Sequence, residues 1–304
     1  TPASPEAPAR PLTRAAALNL GLTPAQLRGP GFVRLFTNVY APAGIAHTIG
    51  ARAAGALLIA PPGSLAARHT AAALWGAPVP SWPTIELCIP RPHQMSSAGV
   101  RVSRPATLPQ AATFQGIPVT TPGRTFLDCA ESFGLVDLVV LGDYLVRNNH
   151  VAESELGKAT AAWHRRGAEL ARQAAGLVRA GVDSPMETRL RLLLVLAGFP
   201  EPVVNHILRD DAGDWLYRLD LSYPQLRIAI EYDGRHHGES SAQWVKDVGR
   251  REALDNAGWR LMVVLSSDIY QHPARLLARA AQLLLDRGMP VTVRQDWRRY
   301  FPVR

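Results

Sequence analysis

The stretch that most constrains this chain is RLDLSYPQLRIAIEYDGRHH, Arg218 to His237. Alternating aliphatic residues on either side of Pro224-Gln225 predict a β-hairpin. With a two-residue turn at Pro224-Gln225, Leu221 opposes Ile228 and Leu219 opposes Ile230, giving one apolar face to pack on helices. On the other face Asp220 opposes Ala229 and lies diagonal to Glu231, with Asp233 following on the same parity. Carboxylates held this close repel and raise one another's pKa unless a cation lies between them. Oxygen donors without cysteine suit Mg²⁺ or Mn²⁺, which polarise a phosphodiester and acidify a bound water. His236 and His237 follow at once, and an imidazole there can handle protons. The plainer alternative is a solvent-facing hairpin whose acids keep an edge soluble.

Around the hairpin the pattern is α/β. Upstream, SPMETRLRLLLVLAGF predicts a helix from Ser184, with Glu187 either completing a capping box or facing the acids as a third carboxylate. Downstream, AQWVKDVGRREALDNAGWRLMVV predicts an amphipathic helix closed by Gly258 and followed by a strand. Trp244, Val248 and Leu254 point inward in that helix, and Lys246, Asp247, Arg250 and Arg251 lie near its polar side. Asp247 with Arg250 and Arg251 forms either a helix salt bridge or a substrate-facing group.

The N-terminal third has another character. TPASPEAPAR, residues 1–10, is Pro/Ala-rich without the apolar core of a signal peptide, and is expected to be a disordered leader. Two short helices follow, ending at Gly21 and Gly29. Thr23, Pro24 and Gln26 form a helix start, and FVRLFTNVYAP alternates as a strand pair. That order is the order of a winged helix-turn-helix, expected over 11–56. It would direct Gln26 and Arg28 to a groove, and set Arg34 and Asn38 on or near the wing, with Arg10, Arg14 and Arg52 as further phosphate contacts. A small α/β module is expected over 57–150, in which His69, His93 and Asp128 are scattered rather than clustered. A helical connector over 151–180, a second domain over 181–290 and a basic, aromatic tail over 291–304 complete the expected organisation. The tail mixes arginine and aromatic residues as a nucleic-acid contact does, or docks on the fold through Trp297 and Phe301.

Bulk properties agree with nucleic acid as a partner without requiring it. The 33 Lys+Arg outnumber 25 Asp+Glu among 304 residues, which favours polyanions. Cys88 and Cys129 make no metal or redox spacing and fit a reducing, cytoplasmic compartment. No apolar run is long enough to span a bilayer.

Two resemblances add to this. The winged-helix order, NVYAP, HTAAALWG and IPVTTPGRTFLDCA, over about residues 11 to 150, resemble AbiEi-type antitoxins and transcriptional regulators, with Asn38 where that family tends to have glycine. SPME at 184–187, LDLSYP at 219–224, IAIEYDGRHH at 228–237 and the D-x-x-R-x-x-x-L-x-x-x-GW pattern from Asp247 to Trp259 resemble the PD-(D/E)XK nucleases, in the branch similar to very-short-patch-repair endonucleases. The second resemblance implies a restriction-endonuclease-like mixed sheet flanked by helices, a divalent metal on Asp220 and Glu231, and double-stranded DNA as substrate. Asp233 stands where the superfamily puts a lysine; the repair branch also lacks that lysine and uses histidine, so His237, or else His236, takes the role. Arg235, Arg250 and Arg251 are then expected to steer phosphates. The expected activity is a metal-dependent endonuclease in a defence or toxin-antitoxin setting. The alternative is a non-catalytic repressor whose nuclease-like domain serves for dimerisation or DNA binding. A homodimer and a toxin or antitoxin partner are compatible with either.

Overall fold

The structure, a computed structural model, describes residues 9–209, 213–234 and 241–302, with the side chains of 241–248 outside that description. Along the chain lie β1 (Leu12–Thr13), α1 (Arg14–Asn19), α2 (Pro24–Arg28), β2 (Phe32–Phe36), β3 (Val39–Pro42) and α3 (Ile49–Leu57). Then come β4 (Leu65–Ala66), α4 (Arg68–Leu74), β5 (Ile85–Cys88), β6 (Val100–Ser103), β7 (Ala111–Phe114), β8 (Ile117–Thr120) and α5 (Pro122–Cys129). Helices α6 (Leu135–Arg147), α7 (Glu153–Ala161), α8 (Ala168–Leu177) and α9 (Pro185–Leu196) lead to β9 (Val203–Arg209), β10 (Trp215–Tyr223) and β11 (Ile228–Tyr232). Helix α10 (Ser241–Asn256), β12 (Arg260–Val264), α11 (Ser266–Tyr270) and α12 (Pro273–Leu285) complete the order. The fold is mixed α/β.

Packing divides the chain into two units, the first running to Phe133 with Asn149–Gly176, the second comprising Gly134–Asn148 and the chain from Leu177. This division differs from the segments drawn on the sequence. Helix α6, placed in the 57–150 module, belongs to the second unit, and the 151–180 connector splits after Gly176. The reason is visible in α6 itself, which is buried along most of its length and packs on α9. Arg191 of α9, fully buried, donates to Asp143 Oδ2 of α6 (3.0 Å) and to the Leu177 carbonyl (2.8 Å). A second ion pair joins Arg189 to Asp137.

The first unit opens with a three-stranded sheet in the order β1-β3-β2, packed with α1 and α2 around Leu12, Ala17, Leu22 and Leu27. Thr23 and Gln26 make a reciprocal capping box, which satisfies two orphan N–H groups at the start of α2. Asn38 turns the β2–β3 hairpin in the left-handed region at φ 60°, which a short amide side chain tolerates better than most. Downstream is a five-stranded sheet in the order β6-β5-β4-β8-β7.

The second unit is a four-stranded sheet in the order β12-β11-β10-β9. Strands β9, β10 and β11 form an antiparallel meander, and β12 returns through α10 to lie parallel to β11. Helix α9 packs on β10 and β11. Leu219 and Ala229 pack with Leu254 of α10 and with Trp259.

The hairpin register departs from expectation. Leu221 pairs with Ile230, Ser222 with Ala229 and Tyr223 with Ile228, a shift of two residues. Two-residue hairpin turns need a positive φ at the first central position, and proline is locked near −65°. The chain instead makes a 3₁₀ turn over Pro224–Leu226 and reverses at Arg227, which adopts the left-handed conformation at φ 50°. Arg227 N–H donates to the Pro224 carbonyl (3.0 Å) and its guanidinium to the Ala257 carbonyl (3.1 Å). Counting on from the observed pairs, Asp220 comes level with Glu231 rather than with Ala229.

The C-terminal segment docks on the fold. Trp297 is 1% and Phe301 6% exposed, so these aromatic rings are core rather than stacking platforms.

Candidate functional site

Asp220, Glu231, Tyr232, Asp233, Gly234, Arg250 and Arg251 line one cleft of about 190 Å³ in the second unit. Strand β10 supplies the first acid, β11 and its end supply the next two, and α10 closes the side with its arginines. The sequence thus brings three of its predicted acids to one place. Tyr232 N–H donates to Asp220 Oδ2 at 3.0 Å, fixing that carboxylate at the rim. Asp233 is held by its backbone, whose N–H donates to the Val264 carbonyl (2.9 Å).

Glu187 stands at the first turn of α9, where Ser184 Oγ accepts from its N–H (3.1 Å). Its carboxylate accepts from Asp183 N–H (3.0 Å), one residue before the N-cap, so it stabilises the helix start in a variant of the expected capping box. It is also electrostatically close to the acids. Burial raises the Glu187 pKa first, and the charge of Asp220 raises it further. Glu187 is thus placed as a helix-start group, with the Asp220 charge felt at its carboxylate.

The Asp220 pKa is likewise raised, chiefly by burial; the Tyr232 N–H, Arg250 and Arg218 oppose the shift and Asp183 adds to it. A carboxyl with a raised folded-state pKa keeps its proton to higher pH than in the unfolded chain. Its contribution to stability is present at low pH and fades as pH rises from the unfolded carboxylate value, near pH 4, through the folded one. Thermal melting of the metal-free protein across this range is expected to fall less steeply with pH in Asp220→Asn and Glu187→Gln than in the wild type. An unchanged slope in both variants contradicts that assignment.

Arg250 is a cation seated on Glu231. Its guanidinium pairs with Glu231 Oε1, donates to the Arg218 carbonyl (3.1 Å) and lies 5.7 Å from the Tyr217 ring centroid. The partner considered on sequence, Asp247, has its side chain outside the described residues. Arg251 is exposed at the same cleft. Arg235, His236 and His237 lie outside the described residues, as do residues 1–8 of the expected leader and the side chains of Trp244, Lys246 and Val248.

Asp183 was missed by sequence reasoning. It pairs with Arg218 of β10 and with Arg147 of α6 (3.3 Å) and bears on Asp220. Its place immediately before the Ser184 N-cap is the one local signal that sets it apart.

Among the described residues no group of three or more His, Cys, Asp and Glu is arranged to hold a metal ion. Mg²⁺ and Mn²⁺ ask for less, because they keep several waters and take one or two carboxylates with substrate phosphate. Asp220 and Glu231 are oxygen donors on neighbouring strands lining one cleft, and Glu231 Oε1 is paired with Arg250.

In the first unit Arg28 and Arg34 are exposed. Gln26 is also exposed, but its Oε1 accepts from Thr23 N–H (2.7 Å), so the cap engages the group expected to read a groove. His69 is buried against Glu86 (2.7 Å) and stacked on Trp82, and Asp128 pairs with Arg124 (2.8 Å). His93 is exposed. Cys88 and Cys129 are buried free thiols. Among the described residues no helix is long and apolar enough to cross a membrane.

No family model matches the chain. The chain is similar to two proteins of Mycobacterium tuberculosis, "Uncharacterized protein MT2308" of strain CDC 1551 / Oshkosh and "Uncharacterized protein Rv2248" of strain ATCC 25618 / H37Rv. Each is 26% identical over 260 residues, 85% of this chain and 94% of the relative. A match of that length takes in parts of both units.

Proposed function

We propose that the second unit is a metal-dependent DNA endonuclease site of the PD-(D/E)XK kind, and that the first unit carries a winged helix-turn-helix that holds the protein on duplex DNA. The observation that carries this reading is the convergence of Asp220 and Glu231 with Asp233, Arg250 and Arg251 on one cleft. The order α9, antiparallel meander, α10 and parallel β12 supports it, since a mixed sheet flanked by helices is what the resemblance implies.

In this reading Asp220 and Glu231 hold Mg²⁺ or Mn²⁺, which when bound polarises the scissile phosphate and acidifies a water. Asp233 in the same cleft and Glu187, whose charge is felt together with that of Asp220, add negative potential that recruits a cation. Arg250 and Arg251 meet phosphate oxygens, with Arg235 assigned the same role from sequence. His237, also assigned from sequence, moves the proton to or from the reacting oxygens. Incubation of the full chain with end-labelled duplex DNA in Mg²⁺, with the ends of the products mapped, tests this: hydrolytic ends are expected, and intact strands oppose it.

The first unit is expected to contribute affinity through Arg28 and Arg34. Replacing either by alanine should weaken duplex binding about equally for all sequences and reduce the salt slope by roughly 1, as read by gel shift across salt concentrations. A change confined to one sequence would instead mark a base contact.

A second reading, a regulator that binds DNA without cutting it, is favoured by one observation: the cation seated on Glu231 is Arg250 of the chain itself. It predicts a gel shift with no hydrolysis in any metal.

A further inference from the structure

We propose that Arg250 is a built-in competitor for the divalent cation, seated on Glu231 in the metal-free protein and released toward DNA phosphate when the cation binds. The inference rests on the metal-dependent reading of this cleft. Its basis is where the guanidinium lies. Arg250 pairs with Glu231, one of the two acids assigned to the metal, while the same nitrogen donates to the Arg218 carbonyl on β10 (3.1 Å). A positive charge of the chain thus already occupies a carboxylate assigned to the cation.

The seat is incomplete for an arginine. Nε of Arg250 is buried and makes no hydrogen bond among the described residues, although the guanidinium gains a cation–π contact 5.7 Å from the Tyr217 ring centroid. A buried donor without an acceptor costs free energy that a better partner recovers. A phosphate offers acceptors in the planar, two-pronged geometry that guanidinium fits. Movement off Glu231 therefore exchanges a partly satisfied site for a fuller one once a phosphate is at the cleft. The two ligands are then coupled: the cation frees the arginine that DNA needs, and DNA removes the charge that the cation must displace.

The test is direct Mn²⁺ binding to the full chain, read from the electron paramagnetic resonance signal of free Mn²⁺, for wild type, R250Q, R250K, R251Q and E231Q. R250Q is expected to bind Mn²⁺ about tenfold more tightly than wild type, with R250K between them. R251Q makes the same change of charge at an exposed position of the same cleft and should have the smaller effect. E231Q should bind more weakly than wild type. Equal or weaker binding by R250Q and R250K, in a wild type that does bind Mn²⁺, overturns the competitor and leaves the nuclease reading standing. Equal tightening in R250Q and R251Q likewise overturns it, since general charge then explains the effect. Absence of binding in every variant overturns both.

Discussion

Asp220→Asn is expected to lower metal-dependent DNA cleavage by more than about a hundredfold, since even outer-shell partners of metal ligands are worth 10–100-fold, while raising the melting temperature of the metal-free protein. The two signs come from one cause. Asparagine keeps an oxygen to accept from Tyr232 N–H, so the end of β11 stays anchored. It removes the charge that burial disfavours and that Asp183 and Glu187 oppose. An acid whose folded-state pKa is raised destabilises the fold whenever it is ionised, and such acids persist where function needs them. A purely structural Asp220 predicts lower melting with no effect on cleavage. Initial cleavage rates and thermal melting on the same preparations separate the outcomes, and a fall in melting temperature with full activity contradicts the assignment.

Arg191→Met is expected to cost about 3–5 kcal/mol of stability, by urea unfolding. Arg191 is fully exposure-free within a run of leucines, and its guanidinium satisfies Asp143, the Leu177 carbonyl and Glu201 (3.2 Å). Methionine fills similar space but leaves the Asp143 carboxyl buried without its cation, with only the Arg179 N–H (2.7 Å) and the Thr188 hydroxyl (2.8 Å). Adding Asp143→Asn to Arg191→Met should recover part of the loss, because it removes the stranded carboxyl. A loss of about 1 kcal/mol or less, as for an exposed ion pair, would show that the pair is not what joins α6 to α9.

Local signals in the sequence carried well into the structure. The Thr23/Gln26 capping box, the left-handed Asn38 and the Ser184 helix start depend on a few neighbouring residues, and each forms as its chemistry dictates. Leu254 lies inward as helical periodicity requires. The hairpin strands were legible from alternation, but their register was not, because the turn spends four residues around Pro224 and sets Arg227 at positive φ. What decides that turn is partly remote: Arg227 is fastened to the end of α10 through Ala257.

Long-range allegiance was the harder part. Helix α6 is a nearly continuous apolar segment, and nothing in its periodicity says which unit it joins; a buried arginine in a leucine-rich helix far along the chain decides it. In the candidate site the acids were found by type and spacing. The cation on Glu231 was not, since a helical Asp247–Arg250 pair explains Arg250 locally and only the packing of α10 across the sheet brings it to β11.

Nicking of supercoiled plasmid by the full chain tests most directly whether this cleft cuts DNA with a divalent metal. Mg²⁺ or Mn²⁺ should yield open-circular product, EDTA should prevent it, and Asp220→Ala and Glu231→Ala should each abolish it. Plasmid that remains supercoiled in every metal, while still shifting on a gel with the wild-type protein, would contradict the account and leave the second unit as part of a DNA-binding regulator.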